Sequence, residues 1–187
     1  MSVLTIYVAG SFKHKHGVRL LGRELRGMGC RMLDWTDKAA PPPGLTPAER
    51  RIWMDTDRDG GEVYAFCHNA CLTADMVIYY GASGQDAGVE VGLAAGAGVP
   101  VLGIRGPLEG PGLMLHGAVS GWVDSVEEAL DVVAALLAYA NAGWKNFAAE
   151  PNPVLRRMGE KLRERADKKN NGSSGFSVGN PCQELAG

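Results

Sequence analysis

The stretch "DMVIYYGASGQDAGVEVGLAAGAGVPVLGI" (Asp75–Ile104) decides the fold. After Asp75 the residues to Gly81 are apolar and rich in β-branched and aromatic types, which marks a buried strand. A loop runs to Ala87, and the residues from there to about Gly98 are too small and apolar for a solvated helix. "VPVLGI" then returns to strand composition. A strand, a helix and a second strand in this order make a crossover unit, and such units build parallel sheets.

The same pattern extends outward. Upstream, "LTIYVAG" (Leu4–Gly10) is a first strand, and Val18, Leu21, Leu25 and Met28 follow at helical spacing with Arg19, Arg23 and Arg26 outside. Gly29 ends that helix and "CRMLDW" is a second strand. A helical region is expected from Pro47, interrupted by Gly60–Gly61. Downstream, "GWVDS" is a short fifth strand, and Ser125 caps a helix whose Glu127 and Glu128 suit its first turn. The expected fold class is α/β, a single doubly wound (flavodoxin/Rossmann-like) five-stranded parallel sheet with helices on both faces. Residues 1–145 form the domain. Residues 146–187 add a charged helix with a weak apolar stripe (Val154, Leu155, Met158, Leu162) and an end of disordered composition.

Bulk composition narrows the function. Of 187 residues, 45% are hydrophobic and 21% charged, the balance of a globular protein. A net charge of −2 gives no bulk attraction to nucleic acid or anionic membrane. No apolar run approaches the roughly 18 residues of a membrane span. The start "MSVLTIYVAG" lacks the features of a signal peptide, and Cys30, Cys67, Cys71 and Cys182 are too scattered for a disulfide framework. A cytoplasmic protein with reduced thiols is expected.

Ligands of open parallel sheets bind beyond the carboxyl ends of the strands, where the strand order reverses. This places candidate binding residues at Gly10–Phe12, Trp35–Asp37, Gly81–Glu90 and from Arg105 onward. Gly10, Ser11, Phe12, Asp86 and Gly88 lie in these segments. The loop "AGSFKHKHG" precedes a helix and is either an anion site or a solvated basic loop. It matches neither G-x-x-x-x-G-K-[ST] nor G-x-G-x-x-G. No metal is expected: His14 and His16 have no acid or cysteine at matching spacing, and Cys67 and Cys71 share one helix face as small buried residues. Trp35 offers either a stacking face or loop packing, and Tyr7 sits in the first strand with a hydroxyl that could reach the pocket. Asp75 stands at the start of a strand, the wrong end of the sheet, where a turn acid is the better reading. Asp86 and Glu90 are four apart and share a face of the first helical turn, either complementing the dipole or facing a ligand. A fixed, partly desolvated carboxylate there can act as nucleophile toward a carbon with cationic character.

Taken in order, "IYVAGSF", "LDWTD", "ADMVIYYG" and "GVEVGLAAGAGVPVLGI" resemble the nucleoside 2-deoxyribosyltransferase-like family, including related deoxynucleoside 5′-monophosphate N-glycosidases, over about Ile6–Leu137. The resemblance implies a doubly wound fold and a double displacement without a cofactor. Glu90 would be the nucleophile and Asp75 the acid that handles the proton on the base. Tyr7, Gly10, Ser11 and Trp35 would line the pocket. In the family a second acid precedes the nucleophile by six positions, where this chain has Gly84; Asp86 is four before. The basic "KHKH" is similar to members that accept a 5′-phosphate.

The expected activity is therefore cleavage of the N-glycosidic bond of a (deoxy)nucleoside or nucleoside 5′-monophosphate, with transfer to another base or to water. An NAD-type glycohydrolase and a non-catalytic nucleotide-binding module stand as alternatives. A small-molecule nucleoside or nucleotide is the expected partner, with self-association into a homo-oligomer through the small-residue helix. Pro41–Pro43 is expected to act as a lid.

Overall fold

The computed structural model describes residues 3–38, 42–56, 58–106 and 110–171. Pro41, where the expected lid begins, and residues 172–187, expected as a disordered end, lie outside the described residues.

Five strands form one sheet: β1 (Thr5–Ala9), β2 (Arg31–Leu33), β3 (Met76–Tyr80), β4 (Val101–Ile104) and β5 (Gly121–Val123). Their spatial order is β2-β1-β3-β4-β5 and every pairing is parallel, with Tyr7 opposite Val77 and Val77 opposite Val101. This is the flavodoxin-like order, and it reverses between β1 and β3. The inner strands carry near-continuous apolar runs because both faces are covered: Ile6–Ala9, Met76–Tyr79 and Val101–Leu102 are all buried.

Helix α1 (Lys15–Gly27) turns Val18, Leu21 and Leu25 inward, and Gly29 ends the turn at φ +89°. The left-handed backbone there costs glycine nothing. The outward arginines are not idle: Arg19 pairs with Asp37 at 2.9 Å and Arg26 with Asp34 at 2.6 Å, which ties α1 to the turn after β2. Helix α2 (Pro47–Thr56) precedes α3 (Arg58–Thr73), and then come α4 (Gln85–Gly96), α5 (Leu113–Ala118), α6 (Val126–Asn141) and α7 (Pro153–Asn171). Helices α3, α4 and α5 adjoin one another in series, while α1 packs beside α6 and α6 beside α7. No helix among the described residues is long and apolar enough to cross a membrane.

One expectation needs correction. Gly60 and Gly61 do not interrupt the helical region; they lie inside α3. Each glycine costs about 1 kcal/mol in a helix, which the packing of Phe66, Cys67, Ala70 and Cys71 against the core outweighs. Helix α4 is buried on one face only, through Ala87, Val91 and Ala94, while a Cβ at Gly88, Gly92 or Gly96 would meet open space.

The caps follow the sequence closely. Ser125 Oγ accepts from Glu128 N–H at 3.1 Å, and the Glu128 carboxylate accepts from Asp124 N–H at 2.9 Å. In α7 the apolar stripe is real: Leu155, Met158 and Leu162 are buried in the same cluster as the sheet residues.

Candidate active site

The strand order reverses between β1 and β3, the place where such sheets form a ligand crevice, and it is flanked here by the loop after β1 (Gly10–His14) and the loop after β3 (Gly81–Gly84). The two loops are joined: Ser11 N–H donates to Ser83 Oγ at 3.0 Å, and Ser83 Oγ donates to Tyr80 O at 2.5 Å. His14 Nδ1 lies 3.4 Å from the same Ser83 Oγ. Close approach dictates glycine at this junction. A Cβ on Gly10 would stand 3.0 Å from Val18 Cγ2, and one on Gly17 would stand 2.6 Å from Tyr80 Oη.

Glu90, one turn into α4, points back across the sheet to Tyr7. The Tyr7 hydroxyl donates to Glu90 Oε1 at 2.5 Å. Glu90 Oε2 is buried and has no hydrogen-bond partner among the described residues. The Cys67 thiol of α3 lies near enough to Tyr7 and Glu90 to influence their titration. Burial pushes the Glu90 carboxyl up to about 7, the Tyr7 hydrogen bond opposes this, the nearby Asp86 charge adds to it, and Cys67 opposes it again. Burial also raises Tyr7 far above the ordinary phenol range, with the Glu90 charge adding, so it stays a donor. Cys67 is pushed up to about 11, again mainly by burial, and so remains a thiol. The result is a carboxylate with one oxygen pinned by Tyr7 and the other buried and unpartnered among the described residues.

The structure gathers Tyr7, Gly10, Ser11, Phe12, Asp86, Gly88 and Glu90 at the carboxyl edge of β1 and β3. Asp86 is exposed in the first turn of α4, one turn before Glu90. Ser11 Oγ is buried without a partner among the described residues. Phe12 is 50% exposed and sits edge-on to Trp35, centroids 5.3 Å apart.

Two residues are not where the expected chemistry needs them. Asp75 precedes β3, so the whole strand of five residues, about 16 Å, separates it from the crevice. Its carboxylate accepts from Thr5 N–H at 2.8 Å and pairs with Lys169 at 2.6 Å. Asp75 is a structural acid at the amino edge of the sheet, as its place at a strand start indicates. Trp35 is 4% exposed and its indole N–H donates to Val8 O at 2.9 Å, so its ring packs the loop and offers no open stacking face.

Cys67 and Ser83 escaped the reading of the sequence. The spacing of Cys67 and Cys71 correctly placed both on the inner face of α3, but spacing names a face and not a neighbour. Ser83 follows a strand within the segment already marked for ligands, and that position was its only signal. Among the described residues no group of three or more His, Cys, Asp or Glu side chains could hold a metal ion. A separate cavity of ≈ 410 Å³ lies between β5, α6 and the start of α7, with Glu128, Asp131 and Glu150 at its wall and none of the crevice residues.

Comparison with solved structures finds a 2-deoxyribosyltransferase from the psychrotolerant bacterium Bacillus psychrosaccharolyticus, 15% identical, covering 68% of this chain and 90% of that one at a TM-score of 0.47. It also finds the CMP N-glycosidase of Clostridium botulinum, 14% identical, covering 69% of this chain and 97% of that one at a TM-score of 0.41. No family model and no curated protein matches the chain.

Proposed function

We propose that this protein cleaves the N-glycosidic bond of a (deoxy)nucleoside or nucleoside 5′-monophosphate through a glycosyl-enzyme on Glu90. The observation that carries this reading is the state of Glu90: Tyr7 holds Oε1, while Oε2 is buried and unpartnered among the described residues, on the helix that follows β3 where the strand order reverses. A carboxylate so held is pre-oriented and partly stripped of water, which favours attack on a carbon that gains cationic character.

In the first step Oε2 forms a bond to C1′ as the C1′–N bond breaks, and the bonding pair leaves with the base. In the second step a water oxygen or the nitrogen of another base bonds to C1′, and the pair of the C1′–O bond returns to Glu90. A proton reaches the departing base in the first step, and the incoming nucleophile gives one up in the second. Asp86 is the acid we place there, in the stead of Asp75, because its charge reaches both Glu90 and Cys67. Gly10, Ser11 and Phe12 frame the sugar side, and the basic side chains of Lys13 and Lys15 suit a 5′-phosphate.

Incubation with single nucleosides, 5′-nucleotides and NAD, with and without an acceptor base, tests the activity by chromatography of released base. A 2-fluoro-substituted nucleoside should leave a sugar adduct on the Glu90 peptide, read by mass spectrometry. Glu90→Gln should lose at least about a thousandfold in rate, since a nucleophile has no substitute in the site. Binding of a nucleotide with no release from any substrate would instead make the chain a binding module.

A further inference from the structure

The loops after β1 and β3 meet at one half-buried hydroxyl, that of Ser83. Among the described residues three groups lie around its oxygen: the Ser11 backbone N–H at 3.0 Å, the Tyr80 carbonyl oxygen at 2.5 Å and His14 Nδ1 at 3.4 Å. A hydroxyl has one hydrogen to donate and two lone pairs to accept with. A carbonyl only accepts, so the hydrogen of Ser83 goes to Tyr80 O. A backbone N–H only donates, so Ser11 takes one lone pair. The contact with His14 then has one remaining form, a hydrogen on Nδ1 donated to the second lone pair. The surroundings hold the hydroxyl in place. Ser83 N–H donates to the Tyr79 hydroxyl at 3.3 Å, and the ring of His14 lies tilted against that of Tyr80 with centroids 5.5 Å apart. Gly106 abuts the same loop so closely that a Cβ there would stand 2.7 Å from Ala82 N.

We propose that Ser83 is a positioning residue of this site, which fixes the loop after β1 through the Ser11 N–H and holds the neutral His14 ring in its Nδ1–H tautomer. Which ring nitrogen carries the hydrogen is set by the partner that the ring meets. Free histidine favours hydrogen on Nε2, so Ser83 selects the less common form. Both backbone groups of Ser11 are spent inside the protein, the N–H on Ser83 and the carbonyl on the His14 N–H at 2.9 Å. The Ser11 hydroxyl, buried and without a partner among the described residues, is then the group of this residue left with hydrogen-bonding capacity. The role in substrate binding rests on the glycosidic-bond reading of the proposed function, but the tautomer and the bond to Ser11 are read without turnover.

Nitrogen-15 NMR of the histidine rings at about pH 8.5, above the ordinary imidazole range, tests the assignment, with His14→Gln identifying the resonances. In the wild type the His14 ring should carry its hydrogen on Nδ1, and Ser83→Ala should return it to Nε2. The Ser11 amide, deprived of its acceptor, should exchange with solvent at least about fivefold faster in Ser83→Ala, the size of one hydrogen bond. Ser83→Thr keeps the hydroxyl and should keep both wild-type readings. A wild-type ring with its hydrogen on Nε2 would overturn the proposal, and so would a Ser83→Ala spectrum and exchange rate equal to those of wild type. Should Ser83→Ala fail to fold, the wild-type tautomer decides alone. With a cleaved nucleoside or nucleotide in hand, Ser83→Ala should raise KM about fivefold and hold kcat within about twofold, because it loosens the loop that frames the sugar and leaves Glu90 in place. An unchanged KM would overturn the positioning role. A chain that releases no base from any nucleoside sinks the glycosidic-bond reading and leaves the NMR result to judge this one.

Discussion

Glu90 folds into surroundings that disfavour its charge, and stability should record it. Its folded carboxyl titrates near 7 against an ordinary 4.5. Between those values the folded state holds a proton that the unfolded chain has released, so stability falls as pH rises through that window and levels off above it. The whole effect amounts to at most about 3 kcal/mol. Glu90→Gln carries no such penalty. It should melt at the same temperature as wild type near pH 4 and several degrees higher at pH 8, measured by calorimetry in both buffers. Activity moves the opposite way. Attack needs the ionised carboxylate, so the rate should climb through pH 7 to a plateau, and a rate already flat from pH 5 to 8 would mean that Glu90 does not titrate in the rate-limiting step. On the proposed mechanism, one residue thus trades stability for a nucleophile at the same pH.

Among elements, β3 shows what sequence reveals and what it hides. Its apolar run and its place in a parallel sheet were legible, because burial on both faces leaves a signature in every residue, while its neighbours β1 and β4 were not. The direction of the strand was legible too, and it placed Asp75 at the amino edge. The motif resemblance argued otherwise and lent Asp75 a catalytic part that the geometry refuses. Order along the chain carries a residue to an element, but only the strand's polarity says which edge of the sheet it serves. Cys67 was hidden for a related reason: α3 spacing showed the inner face, while the partner across that face, Tyr7 with Glu90, comes from elements far away in sequence. Asp75→Ala makes the distinction measurable. It leaves the Thr5 N–H without its side-chain acceptor and frees Lys169, which should cost about 1–3 kcal/mol in urea unfolding. On the proposed function, base release by the folded protein should stay within about twofold of wild type. A collapse of turnover with stability intact would restore Asp75 to the chemistry.

Across the whole molecule, the chemistry and the fastening occupy opposite edges of one sheet. At the carboxyl edge stand Tyr7, Ser11, Ser83 and Glu90; at the amino edge α7 lays down a row of cations every fourth residue. Arg157 donates to Ser120 O, Lys161 to Ser120 Oγ and Lys169 to Asp75. Arg165 does most: its guanidinium donates to Leu72 O at 2.6 Å, Ala74 O at 3.0 Å and Ala97 O at 3.3 Å. Those carbonyls close the ends of α3 and α4, the two helices that carry Cys67 and Glu90. A cation there satisfies orphan carbonyls and meets the negative ends of two dipoles. The sequence showed this helix only as charged with a weak apolar stripe, because period-four cations look the same whether they face water or a row of carbonyls. Arg165→Ala should therefore lower stability by about 2 kcal/mol, several charge-assisted bonds less the compensation that water provides at a partly exposed site. Arg165→Lys keeps the charge but not the planar fork, so it should fall between the two. If the edges are independent, both variants will keep the KM of wild type well below their melting temperatures while their urea midpoints drop. A KM that shifts in step with the midpoint would show instead that the clamp on α3 and α4 sets the spacing of Cys67 and Glu90 at the far edge.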